Sequence, residues 1–163
     1  MIDRLEFKST LAVDETGVIT GIAWPFGSAD KAGDIITKGA FNIAVQDMPM
    51  LLGHDPEMPI GLWDEIAETS EGLQVKGRLD GSTRARAVRG MILGGLIGGL
   101  SIGFTTKSAS KRGANRVITA LDLKEISVVR NPAHPRARIT SAKDATAAIA
   151  EAITRAAVAL RKS

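Results

Sequence analysis

Cysteine is absent from the 163 residues. Its absence excludes a disulfide framework, thiolate chemistry and a cysteine-based zinc site, and it points to a reducing compartment. Long hydrophobic runs are missing as well. The longest, Met91 to Leu100, has ten residues, four of them glycine, against the roughly 20 that a membrane-spanning helix needs. The N-terminus, MIDRLEFKST, carries charge where a signal peptide is apolar. The expectation is a soluble protein without membrane contact. Aromatic residues make up 4% of the chain, and after Val75 there is only Phe104.

Charge is unevenly spread. Met1 to Val75 holds 13 Asp/Glu and 4 Lys/Arg, whereas the remainder holds 5 and 17. A basic half can signal a nucleic-acid partner, but this one lacks the aromatic platforms on which bases stack. A nucleic-acid partner is therefore the weaker reading. The favoured one has acidic and basic segments meeting in the fold or at a self-association surface.

The length suits one domain with an appendage. Gly17 to Phe26 is β-branched and apolar and reads as a strand, whereas Ser28 to Thr37 is polar and reads as a loop. Lys38 to Gln46 places Phe41, Ala44 and Val45 on one face and predicts a short helix. Pro59–Ala67 and Gly72–Leu79 alternate and predict a hairpin around Thr69-Ser70-Glu71. Ser82 or Thr83 can cap a helix that runs to Leu93 and is closed by Gly94-Gly95. Leu100 to Thr106 reads as a strand, Lys107 to Asn115 as a basic turn, and Val117 to Val129 as further strand. Ser141 to Lys162 is Ala-rich, with Ile149, Ile153, Ala156 and Leu160 on one helical face. The sum is a mainly β, α+β domain over residues 1–140 with about two internal helices, and a helical tail over 141–163.

Gly99-Leu100-Ser101-Ile102-Gly103 matches G-x-S-x-G, the turn that exposes a nucleophilic serine in α/β-hydrolases. Ser101, then Asp122 or Glu125, then His134 would follow that fold's triad order. The context opposes it: the elbow needs a strand before the serine and a helix after, and here the order is reversed. His134 also lies between Pro132 and Pro135, with no evident partner.

His54, in LLGHDPEMPIG, ends an apolar run and enters a turn. It is placed to accept a serine proton in a cleft or to serve as a plain surface turn residue. Glu125, in LDLKEISVV, shares an alternating register with Leu121, Leu123 and Ser127, so it falls on the apolar face. A carboxylate there needs a partner. Either an arginine or a histidine whose tautomer it fixes would serve. The same register lets the Ser127 hydroxyl hold the Glu125 carboxylate.

Taken together, these motifs resemble the prohead maturation proteases of tailed bacteriophages, relatives of the herpesvirus assemblins. The resemblance rests on His-Asp-Pro followed by Pro-Ile-Gly, on Gly-Leu-Ser-Ile-Gly, and on Lys-Glu-Ile-Ser-Val-Val before Asn-Pro-Ala. An opening GxAxPFxxxD (Gly21 to Asp30) and Gly39-Ala40-Phe41 extend it. It implies an assemblin-like closed or partly closed β-barrel ringed by short helices. It implies a serine endopeptidase that needs no metal or cofactor, with Ser101 attacking, His54 as base and Glu125 orienting His54. Arg130 and Asn131 are the oxyanion-support candidates. The implied partners are the major capsid protein or scaffold as substrate, including the chain itself, and a second copy as dimer partner. The implied setting is the procapsid interior in the bacterial host cytoplasm. The rival reading is an inactive scaffolding or structural head component of the same fold.

Overall fold

The computed structural model describes residues 2–7, 12–43 and 47–130. Strand β1 spans Asp3–Phe7, β2 Ala12–Val13, β3 Val18–Pro25, β4 Asp34–Ile36, β5 Phe41–Asn42 and β6 Met48–Leu52. The long β7 (Asp55–Glu68) and β8 (Gly72–Leu79) follow, then helix α1 (Thr83–Leu93), β9 (Gly99–Arg112) and β10 (Asn115–Val129). All ten strands join one sheet in the order β1-β9-β10-β6-β7-β8-β3-β2, and β4 and β5 also pair with β10. The sheet curls into a half-barrel that brings β3 against β9 without pairing them.

The core fills the concave side. Trp24, Trp63, Met48, Met50, Ile60, Leu73, Leu100, Ile102 and Phe104 are essentially inaccessible there. On β8 alternate residues are buried, with Leu73, Val75, Gly77 and Leu79 facing inward, the period of a half-buried strand. The β7–β8 hairpin pairs from Gly61↔Leu79 to Glu68↔Leu73, with a one-residue slip between Trp63 and Glu65. Inside the core, Trp63 Nε1 donates to the Ile126 carbonyl at 3.0 Å, which fixes β7 against β10. Ser82 caps α1 by accepting from the Ala85 amide at 3.1 Å, while Ala85, Val88 and Ile92 pack inward.

Four expectations are corrected. Ser28 to Thr37 is not all loop: after a turn in which Asp30 Oδ1 accepts from the Ala32 and Asp34 amides (2.9 and 2.8 Å), β4 pairs parallel with β10. Lys38 to Gln46 does not begin as a helix; Phe41 belongs to β5, and its ring meets Phe26 at 6.4 Å between centroids. The segment from Lys107 is no turn, because β9 continues to Arg112 and reverses at Gly113 (φ 62°). Among the described residues there is one helix rather than two. The half-barrel is the partly closed form of the expected barrel. The Ala-rich 141–163 segment lies outside the described residues.

The acidic and basic halves meet within the fold. Arg116 on β10 makes a bidentate pair with buried Asp34 on β4, with Nε–Oδ1 at 2.7 Å and Nη2–Oδ2 at 2.6 Å. No helix among the described residues is long and apolar enough to cross a membrane.

Candidate active site

The site sits on the face of β9 and β10 that turns away from the core. On β9, Leu100, Ile102 and Phe104 enter the core, so Ser101 and Gly103 face the other way. Facing them on β10 are Ser127, opposite Ser101, and Glu125, opposite Gly103. The ladder slips between Leu123 and Glu125, so that Leu123 pairs Phe104 while Glu125 pairs the adjacent Gly103. That bulge at Lys124 inverts the alternation. The inward residues are Leu121 and Leu123 before it and Ile126 and Val128 after it. Glu125 is therefore not on the apolar face with Leu121 and Leu123, as uninterrupted alternation predicts. It shares the opposite face with Ser101 and Ser127.

His54 reaches this face from a two-residue turn. Leu52 pairs Asp55 across β6–β7, and both loop residues have positive φ, 62° at Gly53 and 66° at His54. This is the pattern of a primed hairpin turn. Left-handed backbone costs a non-glycine residue roughly 1–2 kcal/mol. Two bonds to β10 hold the turn there: the Gly53 amide donates to the Val128 carbonyl at 3.0 Å, and the His54 amide donates to Ser127 Oγ at 3.1 Å. The Ser127 hydroxyl thus serves the His54 main chain rather than the Glu125 carboxylate.

From this turn the imidazole spans β10 to reach β9. His54 Nδ1 lies 2.6 Å from Glu125 Oε1, and His54 Nε2 lies 2.6 Å from Ser101 Oγ. The tautomer follows from the partners. An ionised carboxylate only accepts, so Nδ1 carries the proton and Nε2 is left to accept from the serine hydroxyl. The His54 and Glu125 side chains are 9% and 13% exposed, and Ser101 is fully buried. Charge–dipole interactions are strong in such a water-poor setting.

Gly103 makes room for this arrangement. A Cβ added to it would come within 2.7 Å of Glu125 Oε1 and 2.9 Å of its Cδ. The last glycine of G-x-S-x-G is therefore not a bend beside the serine. It is a gap in the strand that the carboxylate occupies. Sequence reasoning missed both this role and the left-handed turn at Gly53; the signal for the first was a glycine inside a strand pattern.

Not every candidate joins the cluster. Arg130 is exposed just beyond β10. Asn131 and His134 lie outside the described residues. Asp122 lies further along the same face but is engaged elsewhere, accepting from Asn42 Nδ2 at 3.1 Å and paired with Lys107 at 3.1 Å. No group of three or more metal-binding side chains occurs among the described residues.

The family profile described as Caudovirus prohead serine protease matches residues 3–151. The chain belongs to that family. It is accordingly a serine protease. The prohead protease of Enterobacteria phage HK97 is 32% identical over 157 residues, covering 85% of this chain and 70% of that protein. The prohead protease of Escherichia phage T5 is 31% identical over 124 residues, covering 71% and 59%. A capsid polyprotein of Pseudomonas phage PAJU2 is 35% identical over 156 residues, covering 83% of this chain but 22% of the polyprotein. The capsid assembly protease of bacteriophage T4 shares the fold, with a TM-score of 0.57 at 11% identity, over 81% of this chain and 97% of that one.

Proposed function

We propose that this prohead protease cleaves scaffold or the scaffold-like N-terminal extension of the major capsid protein inside the procapsid, and cleaves itself, by a Ser101–His54–Glu125 mechanism. The observation that carries the reading is the unbroken chain of two 2.6 Å contacts from carboxylate through imidazole to hydroxyl. Family membership and a relative named as a capsid polyprotein support the substrate class.

In the first step the Ser101 hydroxyl proton passes to His54 Nε2 as Oγ bonds to the scissile carbonyl carbon. Glu125 stabilises the imidazolium and keeps Nδ1 protonated. The tetrahedral oxyanion needs donors, for which Arg130 and Asn131 and nearby backbone amides are the candidates. When the adduct collapses the C–N bond breaks and the Nε2 proton goes to the leaving amine. Water then attacks the acyl-enzyme, with His54 again taking and returning a proton. An extended substrate segment suits a sheet protein, because it can dock as an added strand.

Co-expression of the chain with its capsid protein tests this. The capsid protein is expected to be shortened by the native chain and to stay full-length with Ser101→Ala. Equal processing by both would remove Ser101 from the mechanism. His54→Ala should match Ser101→Ala and His134→Ala should be nearly silent; loss of processing with His134→Ala would reopen the hydrolase-type triad order.

A further inference from the structure

Ser101 and Ser127 face each other across the β9–β10 ladder, and both are fully buried. Both are bound to the same histidine at opposite ends. Ser101 Oγ meets the ring at Nε2 (2.6 Å), and Ser127 Oγ accepts from the main-chain amide (3.1 Å). We infer that Ser127 is a positioning residue for catalysis: its hydroxyl locks the left-handed peptide of His54, and so sets where the imidazole meets Ser101. The inference rests on the reading of Ser101 and His54 as nucleophile and base.

The physical need is specific. His54 has φ 66°, a conformation that few side-chain-bearing residues adopt unaided. Its neighbour Gly53 adopts φ 62° with no Cβ to oppose it and is held by the Val128 carbonyl. His54 lacks that freedom, and the side-chain acceptor that meets its amide is Ser127 Oγ. Without the hydroxyl the amide loses its partner beside a buried strand, and the left-handed peptide loses one of its restraints.

Geometry makes the tie catalytic in effect. Directly opposed residues on antiparallel strands keep their Cβ atoms about 4.5–5.5 Å apart. The nucleophile and the anchor are therefore fixed to one another by the ladder. His54 is referenced to the first through its ring and to the second through its backbone. A misplacement of about 1 Å at a reacting pair can cost on the order of 100-fold in rate. Glu125 restrains the other ring nitrogen but cannot choose the backbone conformer from which the ring projects.

The test uses the full chain and an alkyl fluorophosphonate, which reports the nucleophilicity of Ser101 without a known substrate. Ser127→Ala is expected to slow labelling about 10- to 100-fold while the circular-dichroism spectrum stays native. In a His54→Ala background the same substitution should change the residual rate less than about twofold, because its effect passes through the imidazole. The second readout is independent of catalysis. The chain has two histidines, so ¹⁵N-histidine spectra distinguish them directly. Ser127→Ala should shift or broaden the His54 ring nitrogens and leave those of His134 unchanged. Ser127→Cys, similar in size but a poor acceptor, should move both readouts the same way by less. Native-rate labelling by Ser127→Ala, an equal slowing in the His54→Ala background, or unmoved His54 nitrogens in either variant would overturn the inference. A native chain that is never labelled at Ser101 would instead contradict the protease mechanism, and the nitrogen spectra would still decide the tie.

Discussion

Gly103 lies directly across the β9–β10 ladder from Glu125, and the space that a side chain at 103 would fill is taken by the Glu125 carboxyl group. The backbone of one strand thereby forms the wall against which the carboxylate is set before it reaches His54. Gly103→Ala should push Glu125 off His54 Nδ1, because the colliding atoms belong to a side chain that can swing away. The expected result is a fall in kcat of roughly 10- to 1,000-fold, since the histidine loses its orienting partner. Steady-state kinetics on a peptide substrate, with a thermal melt alongside, check this. Unchanged kcat in a folded variant would contradict it.

Glu125→Gln keeps the size and one acceptor oxygen but removes the charge that stabilises the imidazolium. It should lower kcat by about 100- to 10,000-fold and leave KM close to native. The same kinetic assay decides it. A rise in KM with kcat intact would instead place Glu125 in substrate binding.

Gly90 provides the opposite case. It sits inside α1, is exposed, and beyond its own helix backbone has no atom within 4 Å of where a Cβ would stand. Gly90→Ala should stabilise the fold by about 0.5–1 kcal/mol through helix propensity alone. At about 2–4 °C per kcal/mol for a chain of this size, that is a small upward Tm shift by calorimetry with activity unchanged.

Part of the acid stability should rest on three carboxylates, two in turns and one on the outward face of β10. The Thr16 hydroxyl and then the Val18 amide hold Asp14 below its ordinary value of 3.8; the Ser82 hydroxyl and then its amide do so for Asp80; the Asn42 amide and then Lys107 do so for Asp122. Each folded-state pKa lies below the unfolded one. Their stabilisation is therefore present above about pH 4 and is lost as pH falls through the depressed values. Urea midpoints measured from pH 6 down to pH 2.5 should show that loss. Asp80→Asn should flatten part of it, because the turn before α1 then has no carboxylate to protonate.

The sequence carried some elements openly and hid others for physical reasons. The β7–β8 hairpin and α1 are legible because alternation and a serine cap are local signals. The strands β4 and β5 are three and two residues long; they exist because β10 offers them an edge, and no periodicity fits in so few positions. The second half of β9 is exposed and polar, so it lacks the apolar alternation that marks a strand. Ladder pairing to β10 makes it one.

At the site, His54, Ser101 and Glu125 stand out in the sequence through their motifs, but their arrangement does not. Plain alternation assigns Glu125 to the same face as Leu121 and Leu123. The bulge at Lys124 reverses that, and a bulge of one residue leaves no mark in a run such as LDLKEISVV. Likewise, Gly-His-Asp-Pro announces a turn but not its left-handed sense, nor that Ser127, more than seventy residues later, accepts its amide.

The central claim is that His54, held by Glu125, activates Ser101. The most direct measurement is peptide mapping by mass spectrometry after reaction of the intact chain with a fluorophosphonate. The account predicts one stoichiometric adduct, on Ser101, that is lost in Ser101→Ala and nearly lost in His54→Ala. An adduct on another residue, or labelling of Ser101 that proceeds at the native rate without His54, would contradict it.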